Sequence, residues 1–520
     1  MKSFKSFVLI FALTAMIPMQ IFAQKPAKTT CFDEECVSEI LEKMMSPNDS
    51  VAIAAYNTII AMTDEAGMSH DSRMVSALKA SMISFIIEGK NPDENIFLIL
   101  LFPKFCWADD CRDLMKLTEN ELITHDVLMA VGDINGSGRY IENYIMQNHD
   151  NLKFKSALAY GVGKQHISSM EDELITWLKD ADEPTKVEIY KALLVIRSND
   201  KTTSIIKKGA KKLLKSKFSS SRVAALEIIA GIDGEKAMPT LYKALKDKSG
   251  DVRVAALDLM KPYVNQVVVA KVMKICKKGD ALVDAINWLG DIKNDTQMEL
   301  VMQQLSSTNP KAVEAAIRAV FKIDYAAGID AVKPMFGGKY QEVIKESMMS
   351  YEGDYNAVLG DVMRHGNSTQ QYGALQILEC RPTMALGERV KDLVYSSNPA
   401  VRDEAYKLLK LVMTMTQTQY LMTLLENCDD KYVEDVQLAI KNTTKTMSDD
   451  KKDELASTLK HVRADVMPRY YNVFAYFGTE LCIDKLIDAY QNGSYKFEAK
   501  EALLLVENEQ LKEKINNVLK

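Results

Sequence analysis

The chain has 520 residues, more than one compact hydrophobic core accommodates, so it must either divide into domains or repeat a smaller unit. Its 23 Gly and 13 Pro are few, which favours helices with short connections over sandwiches or barrels, whose turns use both residues. The 65 Lys and Arg against 71 Asp and Glu give a formal net charge of −6, which excludes a general binder of polyanions.

Residues 1–23 have the pattern of a secretory signal peptide. Lys2 and Lys5 precede an apolar run, and a small residue, Ala23, ends a plausible cleavage site. The apolar run is too short for a membrane-spanning helix. We therefore expect an exported protein, periplasmic or extracellular, that is soluble after cleavage near Ala23-Gln24 and is not embedded in a membrane.

The segment 24–117 has helical but irregular periodicity and contains two cysteine pairs of one pattern, Cys31 with Cys36 and Cys106 with Cys111. In an exported protein such pairs indicate local disulfides. Two residues five positions apart in one helix have Cα atoms about 8–9 Å apart, beyond the bridging limit of about 7 Å. The first cysteine of each pair must then lie in the turn before its helix. Free thiols remain the alternative, whereas the absence of a nearby His and of Cys-x-x-Cys disfavours a metal or redox role.

From 118 to 520 the sequence predicts a succession of two-helix units with a period of about 31 residues. The clearest internal match is within 218–279, where Arg222 aligns with Arg253 and Leu226 with Leu257. A small residue recurs in the first helix of the units, as close helix stacking requires. These residues are Ala225, Ala256, Ala285, Ala316, Ala374 and Ala405. The predicted starts of the units are Thr118, Asn151, Glu183, Phe218, Gly250, Asp280, Asn309, Gln341, Asn367, Asn398, Lys431, Arg463 and Ser494.

The repeated residues resemble those of HEAT repeats, including the HEAT-like repeats of phycobilin lyases. The similarity is carried by Asp251-Val252-Arg253-x-x-Ala256-Leu257 and by Val401-Arg402-x-x-Ala405, and it is clearest over 210–415. It implies an all-α fold, a right-handed ARM/HEAT α-solenoid, with Asp–Arg hydrogen bonds between neighbouring repeats. The unit at 280–308 has Leu282 at the arginine position, so we expect that series of hydrogen bonds to be interrupted there.

Two motifs imitate ligand sites without completing them. The run from Asp133 to Gly138 has the oxygen side chains and glycine of a calcium loop, but Tyr144 occupies the position of the required acid. Gly161-Val-Gly163-Lys164 lacks the remaining residues of a phosphate loop. With no clustered histidines or nucleophile motif in addition, the sequence predicts no metal, no cofactor and no catalytic site.

A series of lysines is the most regular surface pattern. It recurs at 31-residue steps near the end of three successive second helices, with two lysines three residues apart in each, hence on one helix face. The six residues are Lys212, Lys215, Lys243, Lys246, Lys274 and Lys277. Such lysines can form an anion site or simply keep a helix face solvated.

The sequence thus favours a non-enzymatic, exported scaffold that binds a protein or peptide, with an acidic segment, on the concave face of the solenoid. Nucleic acid is not an expected partner, because the net charge is negative. The alternative is an enzyme or the accessory subunit of one, of the HEAT-like lyase type or in a carbohydrate-processing envelope complex.

Overall fold

The computed structural model describes residues 33–89, 91–293, 297–350 and 353–520. The predicted leader at 1–23 and Cys31 lie outside these described residues. Helices and turns account for the regular structure of the described ranges, which contain no strand. The chain divides into two compact units, Met1–Ile275 and Cys276–Lys520, and each is described by itself.

The first unit begins with an irregular group of helices in which α1 packs on α2 and α3, and α2 packs on α5. These helices are α1 (Glu34–Met44), α2 (Asp49–Ser69), α3 (Ser72–Glu88), α4 (Pro92–Ile99), α5 (Phe102–Phe105) and α6 (Cys111–Leu114). Asn48, Asp71 and Asn91 cap α2, α3 and α4 by accepting hydrogen bonds from free backbone amides of the first turn.

Two-helix repeats fill the rest of the first unit. They are formed by α7 (Thr124–Asp133), α8 (Gly138–Gln147), α9 (Lys155–Lys164), α10 (Glu171–Trp177), α11 (Glu183–Ile196), α12 (Asp200–Leu213), α13 (Ser219–Asp233), α14 (Met238–Ala244), α15 (Gly250–Met260) and α16 (Gln266–Ile275). The odd-numbered helices are the first helices of the repeats, and each packs on the next from α7 to α15. The even-numbered second helices form the other layer.

The second unit repeats the same arrangement. Its helices are α17 (Gly279–Ile292), α18 (Met298–Met302), α19 (Pro310–Ile323), α20 (Tyr325–Val332), α21 (Gln341–Met349), α22 (Asn356–His365), α23 (Ser368–Cys380), α24 (Gly387–Leu393), α25 (Pro399–Val412), α26 (Thr418–Asn427), α27 (Val433–Thr444), α28 (Asp449–Thr458), α29 (Tyr471–Phe477), α30 (Glu480–Asn492), α31 (Lys496–Leu504) and α32 (Glu509–Leu519). First helices pack in sequence from α17 to α31. The fold is the all-α solenoid of stacked two-helix repeats that the resemblance to HEAT repeats implies.

Small side chains set the approach of consecutive first helices. The recurring alanines at 225, 256, 285, 316, 374 and 405 are fully buried. Two contacts between consecutive first helices are made by glycine: a Cβ atom at Gly163 would lie 2.9 Å from Cα of Ala192, and one at Gly290 would lie 2.9 Å from Cα of Ala319. The burial of the recurring alanines agrees with the predicted role of a small residue in each repeat.

The predicted starts at Phe218, Gly250, Asn309 and Asn398 lie within one residue of helix starts, which are formed in two different ways, whereas those at Thr118 and Arg463 precede α7 and α29 by six and eight residues. Asn309 and Asn398 cap α19 and α25 through their side chains, each with proline at the next position, as the sequence predicts. By contrast α13 and α15 begin at Ser219 and Gly250 without a side-chain cap. The turns before these two helices are held by arginines instead.

Candidate functional site

An arginine–aspartate pair fixes the turn between the repeats of α13–α14 and α15–α16. The Nε and Nη2 atoms of Arg222 donate to the two carboxylate oxygens of Asp247 at 2.8 and 2.7 Å. Arg253 of the next repeat donates to the backbone carbonyl of Asp247 at 3.0 Å. Both arginines are buried. The side-chain pair of Arg222 with Asp247 lies within one repeat, and the hydrogen bond between neighbouring repeats runs from the side chain of Arg253 to the backbone carbonyl of Asp247.

The electrostatics of this turn follow from the pair. The hydrogen bonds from Arg222 hold the pKa of Asp247 below its usual range, and the backbone amide of Ser249 adds to the effect by donating to the same carboxylate. Arg222 also donates to the carbonyl of Ser216 in the preceding turn, at 2.9 Å. Consecutive turns are therefore tied together, and these turns carry Lys215, Lys246 and their neighbours.

The lysine series lies where these turns meet the second helices. Lys212, Lys243 and Lys274 are each the second-last residue of α12, α14 and α16. Lys215 and Lys246 follow α12 and α14 by two residues, and Lys277 follows α16 but falls in the second unit. All six predicted site residues are exposed. We call the five that lie in the first unit the lysine strip: Lys212, Lys215, Lys243, Lys246 and Lys274.

The lysine strip belongs to a basic segment, residues 200–278, which is recognised by counting the charges over the whole segment. The segment contains sixteen Lys and two Arg against seven Asp and Glu, a net charge of +11 in a chain whose total is −6. The segment before it, 165–199, has seven acids and four bases, and 279–308 has five acids and one base. The positive charge is therefore confined to about three repeats, with an acidic segment on either side along the chain.

Few acids remain to neutralise the lysine strip. Asp247 is engaged by Arg222, and Asp233 pairs with Lys207 at 2.5 Å. Neither α14 nor α16 contains an acidic residue. Within the described residues, no ion pair reaches the six lysines of the predicted site. Their charges face solvent.

An aromatic contact links α16 to α14 within the basic segment. The ammonium of Lys271 lies 4.0 Å from the ring centroid of Tyr242, which neighbours Lys243 on α14. In the turn after α12, Lys217 lies over the ring of Phe218, which is 49% exposed. Neither contact was predicted from the sequence. Lys271 and Tyr242 are 29 residues apart, and Lys217 and Phe218 lie in an irregular turn.

Position at a helix end gives the lysines a structural role as well. A cation in the last turn interacts favourably with the partial negative charge of the free carbonyls there. That interaction explains one lysine near each end, but not the surplus of basic over acidic residues throughout the segment 200–278. The surplus is what distinguishes this surface.

The second cysteine pair differs from its sequence-based interpretation. Cys106 lies in extended backbone directly after α5 and Cys111 begins α6, which meets the geometric condition, yet both are free thiols. Both are buried, and the thiol of Cys111 donates to the carbonyl of Trp107. Asp110 closes this loop by accepting from the amide of Trp107 and from Lys79. The predicted Cys106–Cys111 disulfide is thus wrong for this structure, while the Cys31–Cys36 pair stays a prediction.

The residues of the incomplete calcium loop are occupied by protein partners. The carboxylate of Asp133 accepts a hydrogen bond from the hydroxyl of Tyr160 at 2.5 Å, and Lys164 lies 3.6 Å away. Ser137 is buried and donates to the carbonyl of Val131. Across the described part of the chain, no group of three or more His, Cys, Asp or Glu is placed to hold a metal ion.

A groove of about 320 Å³ lies between α9 and α11, next to Asp133. Its lining includes Tyr160, Lys164, His166 and Glu188. Burial, followed by the hydrogen bond to Asp133, raises the pKa of Tyr160, so its hydroxyl stays protonated at neutral pH. A proton held this firmly makes Tyr160 a poor general base.

Among the helices described, none combines the length and the apolar character needed to cross a membrane.

Comparisons with known proteins give a likeness of fold. No protein-family model and no curated protein matches the chain. Solved structures do: yeast importin-β (Kap95p) matches with 10% identity and a TM-score of 0.37, over 94% of this chain and 79% of that one. Kap121p bound to the C-terminus of the phosphatase Cdc14p matches with 11% identity and a TM-score of 0.28, over all of this chain and 55% of that one. A chain in a homology model of the full-length AP-3 complex matches with 12% identity and a TM-score of 0.31, over 94% of this chain and 91% of that one.

The chain thus spans about half the length of Kap121p. Because these TM-scores are low, the fold is assigned from the packing of this chain's own helices.

Proposed function

We propose that the protein is a non-enzymatic scaffold that binds an acidic segment of a partner protein on the lysine strip, on the second-helix surface formed by α12, α14 and α16. One observation carries this proposal: a net charge of +11 is concentrated in three repeats, and the exposed lysines on their second helices form no ion pair within the described residues. Exposed, aligned charges of one sign attract a partner of the opposite sign and set its register more than they add affinity.

The chemistry of the whole chain favours a short acidic protein segment over nucleic acid. Outside 200–278 the remaining residues sum to a net charge of −17, since the total is −6. A long polyanion that extended past the three basic repeats would meet this negative charge. A partner with a local cluster of Asp and Glu would not.

The arginine–aspartate turns support the same proposal by holding the lysine positions. Arg222 and Arg253 fix the turns around Ser216 and Asp247, so the backbone that carries Lys215 and Lys246 is held before a partner arrives. A pre-ordered surface loses less conformational entropy on binding. The export predicted from residues 1–23 remains part of the proposal, and places the partner in the periplasm or outside the cell.

The test is a binding titration with a fluorescent polyglutamate peptide. The variant Lys243→Gln, Lys246→Gln, Lys274→Gln, Lys277→Gln removes four exposed charges and is expected to keep the fold. An exposed ion pair contributes about 0.5 kcal/mol, so four lost pairs predict roughly 30-fold weaker binding. The control variant Lys179→Gln, Lys445→Gln, Lys451→Gln, Lys500→Gln changes four exposed lysines outside 200–278 and should bind like wild type. Equal binding by all three proteins would refute the proposal.

A further inference from the structure

Resting on the proposed function, we propose that the lysine strip recognises an extended, polyproline II-like segment with an acidic residue at every third position. The proposal follows from matching two spacings, that of the repeats and that of a peptide chain.

The first spacing is that of the lysines from one repeat to the next. The first helices α11, α13 and α15 pack directly on one another, and packed helices lie about 8–10 Å apart. Lys212, Lys243 and Lys274 are equivalent residues of three successive repeats, each 31 residues from the last. The contact of Lys271 with Tyr242 keeps α16 beside α14. Each repeat therefore advances the stack of first helices by about 8–10 Å, and the proposal takes the same advance for its equivalent lysine on the second helix.

The second spacing is that of side chains on one side of a bound peptide. Polyproline II has three residues per turn and a rise of about 3.1 Å, so every third side chain points the same way, about 9.3 Å further along. Alternate side chains of a β-strand are only about 6.6–6.8 Å apart. Of these two extended conformations, only polyproline II brings one acid to each lysine of the row formed by Lys212, Lys243 and Lys274.

The width of the lysine strip favours a slender partner. The amide of Lys215 donates to the carbonyl of Lys212 at 3.0 Å, and that of Lys246 to the carbonyl of Lys243 at 3.2 Å. Because each pair is closed by this single turn, the two rows of lysines run about 5–6 Å apart. A helix with its side chains is about 10–12 Å across. A polyproline II segment has no internal backbone hydrogen bonds and is slender, so its acids can reach both rows from between them.

The length of the site follows from the charge pattern. Three lysine positions in the row correspond to three acids, hence a segment of the form Glu-x-x-Glu-x-x-Glu. The acidic residues at 165–199 and 279–308 disfavour a longer acidic run in either direction. Proline at the intervening positions would favour polyproline II in the free peptide and so reduce the conformational entropy lost on binding.

The test compares capped peptides of identical composition and charge by fluorescence anisotropy. One is Glu-Pro-Pro-Glu-Pro-Pro-Glu and the other has its three Glu adjacent, followed by the four Pro. We expect the first to bind at least about 5-fold more tightly, because each acid then meets its own lysine, and each exposed pair is worth up to about 1 kcal/mol. The preference should disappear in the variant Lys212→Gln, Lys243→Gln, Lys274→Gln.

The outcomes separate this inference from the function on which it rests. Equal binding of both peptides, with loss in the lysine variant, would overturn the spacing and leave the proposed function intact. Binding of neither peptide would overturn both. Tighter binding of a helical peptide with Glu at every seventh position, or of a single-stranded oligonucleotide of equal charge, would overturn the extended acidic segment as the partner.

Discussion

Arg222 and Asp247 form a two-pronged ion pair across one repeat, with only 7% and 17% of their side chains exposed. Because the backbone carbonyl of Asp247 also accepts a hydrogen bond from the guanidinium of Arg253, the pair joins three elements at a single turn. Lys246 and Lys248 flank Asp247 directly, so the residue that stabilises the turn also positions exposed charge on either side of it. Stability and the candidate binding surface are therefore coupled at this point of the fold.

Replacing Arg222 tests the stabilising part of that coupling. Arg222→Ala removes charge-assisted hydrogen bonds to Asp247 and to the carbonyl of Ser216, and should lower the free energy of unfolding by about 2–3 kcal/mol. Urea denaturation followed by circular dichroism measures the change. Arg318→Ala is the matched control, because Arg318 lies on the first helix α19 in an exposed, long ion pair with Glu314, worth under about 1 kcal/mol. Equal effects of the two substitutions would contradict the assignment.

Acid titration tests the charge state of Asp247. A carboxyl group whose folded-state pKa is lowered stabilises the fold above its unfolded-state pKa of about 3.9, and this contribution is lost as the pH falls through the folded-state value. Asp247→Asn should therefore be less stable than wild type at pH 7, with the difference shrinking below about pH 4. Thermal unfolding from pH 7 to pH 2.5 follows the difference, and a gap independent of pH would contradict the account.

Thiol labelling tests whether Cys106 and Cys111 are free thiols. Burial raises the pKa of Cys111 to about 12 and that of Cys106 further, with Asp110 adding to both shifts, so neither thiol ionises readily at neutral pH. In the native, non-reduced protein, N-ethylmaleimide should label the exposed Cys380 first. Unfolding without a reductant should then expose Cys106 and Cys111 to labelling. If they resist the reagent until a reductant is added, they form the disulfide that the sequence predicts.

The glycine contact between first helices predicts a packing defect. Gly290→Val would place side-chain atoms against the backbone of Ala319 and should destabilise the second unit by about 1–3 kcal/mol. Gly231→Val is the control, since Gly231 is exposed on α13 and a Cβ atom there approaches only the flexible end of Leu194. Chemical denaturation of the two variants compares them. A Gly290 variant as stable as the Gly231 variant would show that the helices have room to separate.

Much of the architecture was predictable from the sequence because helix stacking imposes regular requirements. The first helices begin at Glu183, Gly250 and Gln341, the residues that the repeat register predicts, since a small residue and an apolar face must recur at each repeat. The HEAT-like positions of Arg253 and Asp247 likewise predicted hydrogen bonds between repeats. These features depend on short sequence patterns that recur from one repeat to the next.

What escaped prediction depends on distance and on loop geometry. Cys106 and Cys111 are free thiols in a loop closed by the hydrogen bonds of Asp110 to Trp107 and Lys79, an arrangement that no spacing rule encodes. The contact of Lys271 with Tyr242 requires two second helices to be neighbours, which the sequence leaves open. The extent of the basic segment 200–278 was available from counting charges in windows, a signal that comparison of single motifs overlooks.

The most direct test of the proposed function is the salt dependence of acidic-peptide binding, for wild type and for the variant Lys243→Gln, Lys246→Gln, Lys274→Gln, Lys277→Gln. Exposed charge pairs are screened as ionic strength rises, over a Debye length that shortens to about 8 Å at 0.15 M. Wild type should bind the peptide more tightly at low salt and lose affinity steeply as salt is added, whereas the variant should bind weakly with a shallow salt dependence. Identical affinities and identical salt dependences would contradict the central claim that this lysine surface is the binding site.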